Sequence, residues 1–253
     1  MYNKTIKIFT INSQLFSTIK QENKSGVTMK RLILGLILLS ISLSAMQMGH
    51  KNFRTVSMDK ATMLKDGKQK MFCSVCGMTL PMFYKTNHAA KHNHKQDQYC
   101  SVVCMVEDMV VGGKTMSNFK VVDNTTLKFI PSKDAYYVVG SKKPGTMSMV
   151  SKYAFGTIKA AKEFKHKFGG KIIRFGALIE MVKKAQAKDM EATKKRQAKA
   201  IKKGAMMYKK MCQKTNKHFT TTAQAKAFLK SSQICGNING KKLQAIGMYL
   251  VKR

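Results

Sequence analysis

The sequence predicts an α+β fold, and two observations support this prediction. Between residues 71 and 180, short segments rich in β-branched and aromatic residues alternate with segments whose apolar residues recur at helical spacing. Residues 185–203 are rich in Ala, Lys, Gln and Glu, which favour helix. We therefore expect a mixed domain over 71–180, a solvated helical linker over 181–203 and a small all-α module over 204–253.

Turn residues and periodicity place the individual elements. Strands are expected over 118–123, 127–130, 134–140, 153–155 and 171–175, and helices over 101–111, 157–168, from 177 onward, and over 205–214, 222–231 and 241–252. The pairs Gly112-Gly113 and Gly169-Gly170 end the first two helices. Asn124-Thr125 supplies the turn of a hairpin between the first two strands.

The amino-terminal region has the pattern of an export signal. Lys30 and Arg31 precede an apolar run of about a dozen residues that ends in small residues near Ala45. We expect residues 29–45 to be a signal peptide, 1–28 a gene-model extension before the true start, and 46–70 a polar lead-in. The apolar run is shorter than the ~20 residues of a membrane-spanning helix. The expected location is the periplasm, with a membrane tether if the signal is not cleaved.

The formal net charge is +35, which by itself raises nucleic acid as a partner. The basic residues are spread along the chain, however, and no nucleic-acid-binding motif accompanies them. We therefore expect no nucleic-acid partner. An anionic membrane surface, contacted peripherally, or an acidic protein fits the charge equally well.

Two cysteine clusters with a histidine-rich loop between them are the most informative motifs. The first is Cys73-Ser-Val-Cys76-Gly-Met and the second is Tyr-Cys100-Ser-Val-Val-Cys104-Met. Sulfur donors of this kind select Cu(I), Zn(II) or iron–sulfur centres over Mg²⁺ or Ca²⁺. The candidate metal ligands are Cys73, Cys76, Met78, Cys100, Cys104, Met105, Met147, Met149, His92 and His94.

The cysteine spacing leaves several readings open. In an oxidising compartment Cys73 and Cys76 are also candidates for a disulfide, or for a redox-active pair that would need a βαβ context. Four cysteines in two pairs resemble a structural zinc site. The second pair follows the first after 23 residues, whereas zinc ribbons have gaps of ~15–20. The flanking methionines favour Cu(I), because thioethers are good ligands for that ion and poor ligands for zinc.

The ordered set of motifs over residues 71–180 resembles the NosL family, accessory copper proteins of nitrous oxide reductase assembly. The two cysteine motifs carry the resemblance together with Val121-Val122-Asp123, Ala135–Val138, Gly145–Met149, Ala154-Phe155, Ala160-Ala161, Phe164 and Gly169–Ile172. The resemblance implies a fold like that of organomercurial lyase, built from treble-clef-like ββα pieces.

The resemblance also implies the function. It predicts an exported Cu(I)-binding accessory protein of denitrification that passes copper to apo nitrous oxide reductase or its assembly machinery. No catalysis is expected, since the chain has no Ser–His–Asp order, no phosphate-binding loop and only 12 acidic residues. Two alternatives stay open: a structural zinc-bound interaction module, and a thiol oxidoreductase or organomercurial-lyase-like enzyme.

The segment 204–253 has a resemblance of its own, to a small class I c-type cytochrome. Gly204–Cys212, Ala225–Phe228 and Ile246–Leu250 carry it, but the haem-attachment motif C-x-x-C-H is absent. Covalent haem is therefore not expected, and the segment is interpreted as a degenerate cytochrome-like helical unit. Cys212 and Cys235 are candidates for a disulfide in an oxidising compartment.

Overall fold

A computed structural model describes residues 52–253, which form one compact unit. The expected extension over 1–28, the signal peptide over 29–45 and the first part of the lead-in lie outside the described residues. The described part combines antiparallel sheets with helices, so the predicted α+β class is confirmed.

Within residues 52–253, seven strands form two antiparallel sheets. The strands are β1 (His88–His92), β2 (Lys95–Tyr99), β3 (Ser117–Val122), β4 (Phe129–Pro131), β5 (Tyr136–Val139), β6 (Lys152–Phe155) and β7 (Lys171–Ile173). The first sheet has the order β2-β1-β3-β4 and the second has the order β6-β5-β7. All five strands predicted from the sequence are present, with ends that lie within two residues of the predicted ones.

In the described part of the chain, five α-helices accompany the sheets: α1 (Val102–Val110), α2 (Ile158–Phe168), α3 (Phe175–Met211), α4 (Thr222–Ser232) and α5 (Gly240–Lys252). Two short 3₁₀ helices, Met58–Lys60 and Leu80–Thr86, precede the first strand. Threonine side chains cap the first turns of α2 and α4. Thr157 accepts a hydrogen bond from the backbone N–H of Ala160, and Thr221 accepts one from that of Gln224.

The histidine-rich segment is a β-hairpin, so its prediction as a loop was wrong. His92 pairs with Lys95, which leaves Asn93 and His94 as a two-residue connection. Both of these residues have positive φ, as the favoured two-residue hairpin turns require, and Asn tolerates that conformation. His88 at the start of β1 is buried rather than solvated. The hairpin and the 3₁₀ helix before it account for most of the residues that separate the two cysteine pairs in the sequence.

The carboxy-terminal helices pack on the described residues that precede them. The predicted boundary near residue 203 lies inside the continuous helix α3, whose Gly204 and Tyr208 are buried. Helix α5 lies against α3, and helix α4 packs on α5. The predicted disulfide between Cys212 and Cys235 is present and ties the end of α3 to the α4–α5 loop. Within residues 52–253, no helix combines the length and the apolar character needed to cross a bilayer.

Candidate metal centre

The first cysteine pair lies in a tight turn, here called the knuckle (residues 73–78). The backbone N–H of Gly77 donates to the carbonyl oxygen of Cys73 at 3.1 Å, and that of Cys73 donates to the carbonyl oxygen of Met78 at 2.8 Å. Gly77 has a φ of +69°, a conformation that costs glycine little and other residues more. The turn therefore presents Cys73 and Cys76 from one short stretch of backbone.

The second pair lies at the start of helix α1. Ser101 is the N-cap residue of α1, so Cys100 immediately precedes the helix and Cys104 lies in its first turn. Residues four apart lie on the same side of a helix. The amino-terminal end of a helix carries a partial positive charge, which favours thiolate over thiol.

The four sulfurs form one cluster. All four Sγ atoms lie within 4.8 Å of one another. The Sγ of Cys76 lies 3.5 Å from that of Cys100, which lies 3.7 Å from that of Cys104. A tetrahedron of sulfurs with metal–sulfur bonds of about 2.3 Å has edges of about 3.8 Å. The cluster therefore has the dimensions of a single four-sulfur metal site, and its donor chemistry suits a soft ion.

The succession of knuckle, hairpin and helix matches the treble-clef-like ββα arrangement predicted from the family resemblance. The hairpin β1–β2 turns the chain back so that the end of β2 runs into Cys100 beside the knuckle. The backbone N–H of Ser74 donates to the carbonyl oxygen of Gln98 in β2 at 3.1 Å, which fixes the knuckle to the hairpin. Cys73 and Cys76 are free thiols, so the structure does not contain the disulfide considered between them.

Burial shapes the acidity of the cluster. Cys73, Cys100 and Cys104 have no exposed surface, and Cys76 is 7% exposed. Burial opposes ionisation of Cys73, but hydrogen bonds from the thiols of Cys100, Cys104 and Cys76 outweigh it and lower its pKa well below the usual value. The hydrogen bonds that Cys104 makes with Cys100, Cys73 and Cys76, followed by burial, raise the pKa of Cys104. Binding of a metal ion to the four sulfurs would release the protons of those cysteines that are thiols.

The predicted methionine ligands lie in different environments. Met105 is fully buried in α1, and Met78 and Met147 are half-buried against the core that contains the four cysteines. Met147 also has a positive φ of 62°. Met149 is 86% exposed, so its thioether lies in solvent and does not join the buried sulfurs.

The predicted histidine ligands lie at the turn of the hairpin. Nδ1 of His92 lies 2.9 Å from the carbonyl oxygen of Thr115, and His94 is an exposed turn residue. Among residues 52–253, the group of histidine, cysteine or acidic side chains close enough to hold an ion consists of the four cysteines alone. The structure therefore does not bring His92 or His94 to the sulfur cluster.

The carboxy-terminal helices contact the knuckle directly, which the sequence did not predict. The Nζ of Lys226 in α4 donates to the carbonyl oxygen of Gly77 at 2.6 Å and to Oγ1 of Thr79 at 3.2 Å. The Nε2 of Gln244 in α5 donates to the carbonyl oxygen of Cys76 at 2.9 Å and its Oε1 accepts from Lys226 at 2.8 Å. We call these two side chains the clamp.

The lysine of the clamp is an unusual buried cation. Lys226 is fully buried, and within the described residues its ammonium group takes part in none of the ion pairs with carboxylates. Burial lowers its pKa to about 7, and the negative charge of Cys76, Cys73 and Cys100 opposes this shift. The segment from Ala192 to Arg253 has many lysines and no acidic residue, so nothing in the sequence singles this lysine out.

The chain is similar to one known family and to a solved structure. Residues 65–183 match the family model NosL. Among solved structures, the copper chaperone NosL from Shewanella denitrificans matches at 23% identity, over 42% of this chain and 87% of that chain, with a TM-score of 0.35. No curated protein matches the chain. The family match begins shortly before the knuckle and ends within α3, so the clamp lies beyond it.

Proposed function

We propose, from the premise that residues 65–183 are a NosL domain, that this protein is an accessory protein that binds copper as cargo. The observation that carries the proposal is the cluster of four buried Sγ atoms, all within 4.8 Å of one another. Cu(I) is the expected state of the ion, because thiolate is a soft donor and stabilises the monovalent form.

The proposed role is delivery of Cu(I) for the assembly of nitrous oxide reductase in the periplasm. The family resemblance supports the recipient, and the apolar run over residues 29–45 supports export. Transfer would run by ligand exchange, in which an incoming sulfur or imidazole displaces one cysteine at a time. Ligand exchange of this kind requires a soft ion, several equivalent donor atoms, and at least one donor that is accessible to the acceptor protein.

The test of binding is an anaerobic titration of the full chain with Cu(I) against a competing chelator of known affinity. Cys76→Ser and Cys104→Ser should each weaken binding strongly, since each removes one sulfur from the cluster. Met149→Leu is the matched control, because its thioether is in solvent, and it should bind as the wild type does. Unchanged Cu(I) affinity in both cysteine variants would overturn the proposed site.

The test of delivery is transfer from the loaded protein to apo nitrous oxide reductase, followed by the appearance of its activity. Apo enzyme mixed with the same quantity of Cu(I) bound to the chelator alone provides the control. Faster activation by the loaded protein supports delivery. Equal activation by both would show that the protein stores copper without directing it.

A second candidate function, a structural zinc site, is favoured by one specific observation. The sulfur–sulfur distances of 3.5 and 3.7 Å match the edge of about 3.8 Å that a tetrahedral four-thiolate zinc site requires. This candidate predicts one tightly bound Zn(II) in the purified protein, no displacement by Cu(I), and unfolding of the domain on chelation. Metal analysis of the purified protein before and after Cu(I) addition separates the two functions.

A further inference from the structure

One face of the sulfur cluster differs from the others. Cys73, Cys100 and Cys104 are closed off from solvent, whereas Cys76 retains slight exposure. Cys76 also lines a cavity of about 240 Å³ that opens to the surface. The sulfur cluster therefore has an approach from solvent on the side of Cys76, which we call the port.

The walls of the port come from two parts of the chain. Val75, Cys76 and Glu107 lie within the NosL match, and all the other lining residues lie beyond residue 183. Ile201 belongs to α3 and Met248 to α5. The carboxy-terminal helices, which are extra to the family domain, thus build most of the opening to the cluster.

The clamp fixes these walls in place. Lys226 donates a hydrogen bond to the carbonyl oxygen of Gly77, and Gln244 donates one to that of Cys76. Helices α4 and α5 are therefore bonded to the turn that carries Cys76. The disulfide between Cys212 and Cys235 ties the end of α3 to the same helix pair. The opening is therefore a built feature of the fold rather than a gap between loosely packed parts.

The chemistry of the lining suits the passage of a soft cation. Glu107 contributes a half-buried carboxylate, in a chain with only 12 acidic residues, and attracts positive charge. Met248 contributes a thioether, a neutral donor that binds Cu(I) weakly enough to release it. Among the described residues, the lining contains a single cationic side chain, Lys252, which is exposed on α5.

We propose that this port, built by the carboxy-terminal helices, is the route by which the metal ion enters and leaves the cluster, and that Cys76 is the exchanging ligand. The proposal rests on the proposed function. In the exchange, a donor atom of the acceptor forms a bond to the ion with its own electron pair. The bond between the ion and Sγ of Cys76 breaks, the sulfur keeps its electron pair, and it takes up a proton from water. No electron is transferred, and the charge of the ion does not change.

The first experiment blocks the port and measures the rate of exchange. Ile201→Trp places a large side chain on the α3 wall, and Gln197→Trp does so one turn earlier. Both should slow transfer of Cu(I) to a chelator by about tenfold or more while leaving the equilibrium affinity nearly unchanged. The control is Gln69→Trp, at a residue that lines a second cavity of about 730 Å³, which shares Thr221 with the port but contains no cysteine in its lining. It should exchange at the wild-type rate.

The second experiment needs no metal and therefore separates this proposal from the proposed function. The reduced, metal-free protein is exposed to a short pulse of iodoacetamide, and the modified cysteines are located by mass spectrometry. Cys76 should be labelled first among the four, and Ile201→Trp should protect it. Labelling of Cys73, Cys100 or Cys104 as fast as Cys76, or wild-type exchange rates in both port variants, would overturn the port. Failure to bind Cu(I) at all would overturn the proposed function and leave the labelling order to decide the port.

Discussion

Replacing Gly77 by alanine tests whether the carboxy-terminal helices truly rest on the knuckle. Gly77 has a φ of +69°, and a Cβ atom there would lie 2.7 Å from both Cβ and Cγ2 of Thr222 in α4. Gly113 has a similar φ of +65°, but a Cβ atom there would meet nothing within 4 Å. The two positions thus share the backbone conformation and differ in what surrounds them.

The expected magnitudes follow from this difference. A left-handed backbone costs a non-glycine residue about 1–2 kcal/mol, which is the whole cost expected for Gly113→Ala. Gly77→Ala adds the cost of overpacking, about 1–3 kcal/mol, so its total is roughly 2–5 kcal/mol. The additional loss of stability in Gly77→Ala, compared with Gly113→Ala, therefore measures the contact between the knuckle and α4.

The assay is urea denaturation of both variants and the wild type, with the metal content and the redox state of the cysteines held the same. Thr222→Gly removes the two atoms that the new Cβ would meet, so the double variant should recover most of the excess cost. If Gly77→Ala loses no more stability than Gly113→Ala, the packing of α4 on the knuckle is refuted.

Three further predictions test other parts of the account. Replacing Cys212 and Cys235 by serine should lower the free energy of unfolding by about 3 kcal/mol. This is the loop-closure entropy expected for a disulfide between residues 23 apart in sequence. An unchanged urea midpoint would contradict a structural role for the disulfide. Burial, aided by the charge of Lys152, lowers the pKa of His88 to about 4, so between pH 6.5 and 4 the unfolded chain takes up a proton that the folded chain does not. As the pH is lowered from 6.5 to 4, the free energy of unfolding should therefore decrease by about 3 kcal/mol more in the wild type than in His88→Phe. Urea denaturation at each pH measures this decrease. Lys226→Met should weaken Cu(I) binding about tenfold, because it removes a buried positive charge beside a thiolate centre, while Lys230→Met on the exposed side of α4 should not.

The local elements were predictable where the sequence carries a local signal. Helix α1 and strand β3 follow from apolar periodicity, and α2 follows from the capping residue Thr157 and from Gly169-Gly170 after its end. The four-cysteine cluster was also predictable, because two closely spaced pairs form one site as soon as the fold brings the pairs together. What the spacing did not reveal is how it returns, through the hairpin β1–β2.

The remaining features depend on contacts that no local pattern encodes. The hairpin was missed because its strands are rich in His, Ala, Lys and Gln, and only the turn residues Asn93 and His94 distinguish it from a solvated loop. The clamp was missed because Lys226 and Gly77 are 149 residues apart. In the sequence, Lys226 cannot be distinguished from the many exposed lysines around it. Only the packing of α4 on the knuckle buries it and gives it a distinct role.

The central claim is that four converging cysteine sulfurs hold a soft monovalent ion. X-ray absorption at the copper edge, on the full chain loaded anaerobically with one equivalent of Cu(I), tests this claim most directly. We predict a first shell of sulfur alone, and a changed shell in Cys76→Ser. A copper shell dominated by nitrogen or oxygen, or a zinc ion that keeps all four sulfurs while copper stays in solution, would contradict the claim.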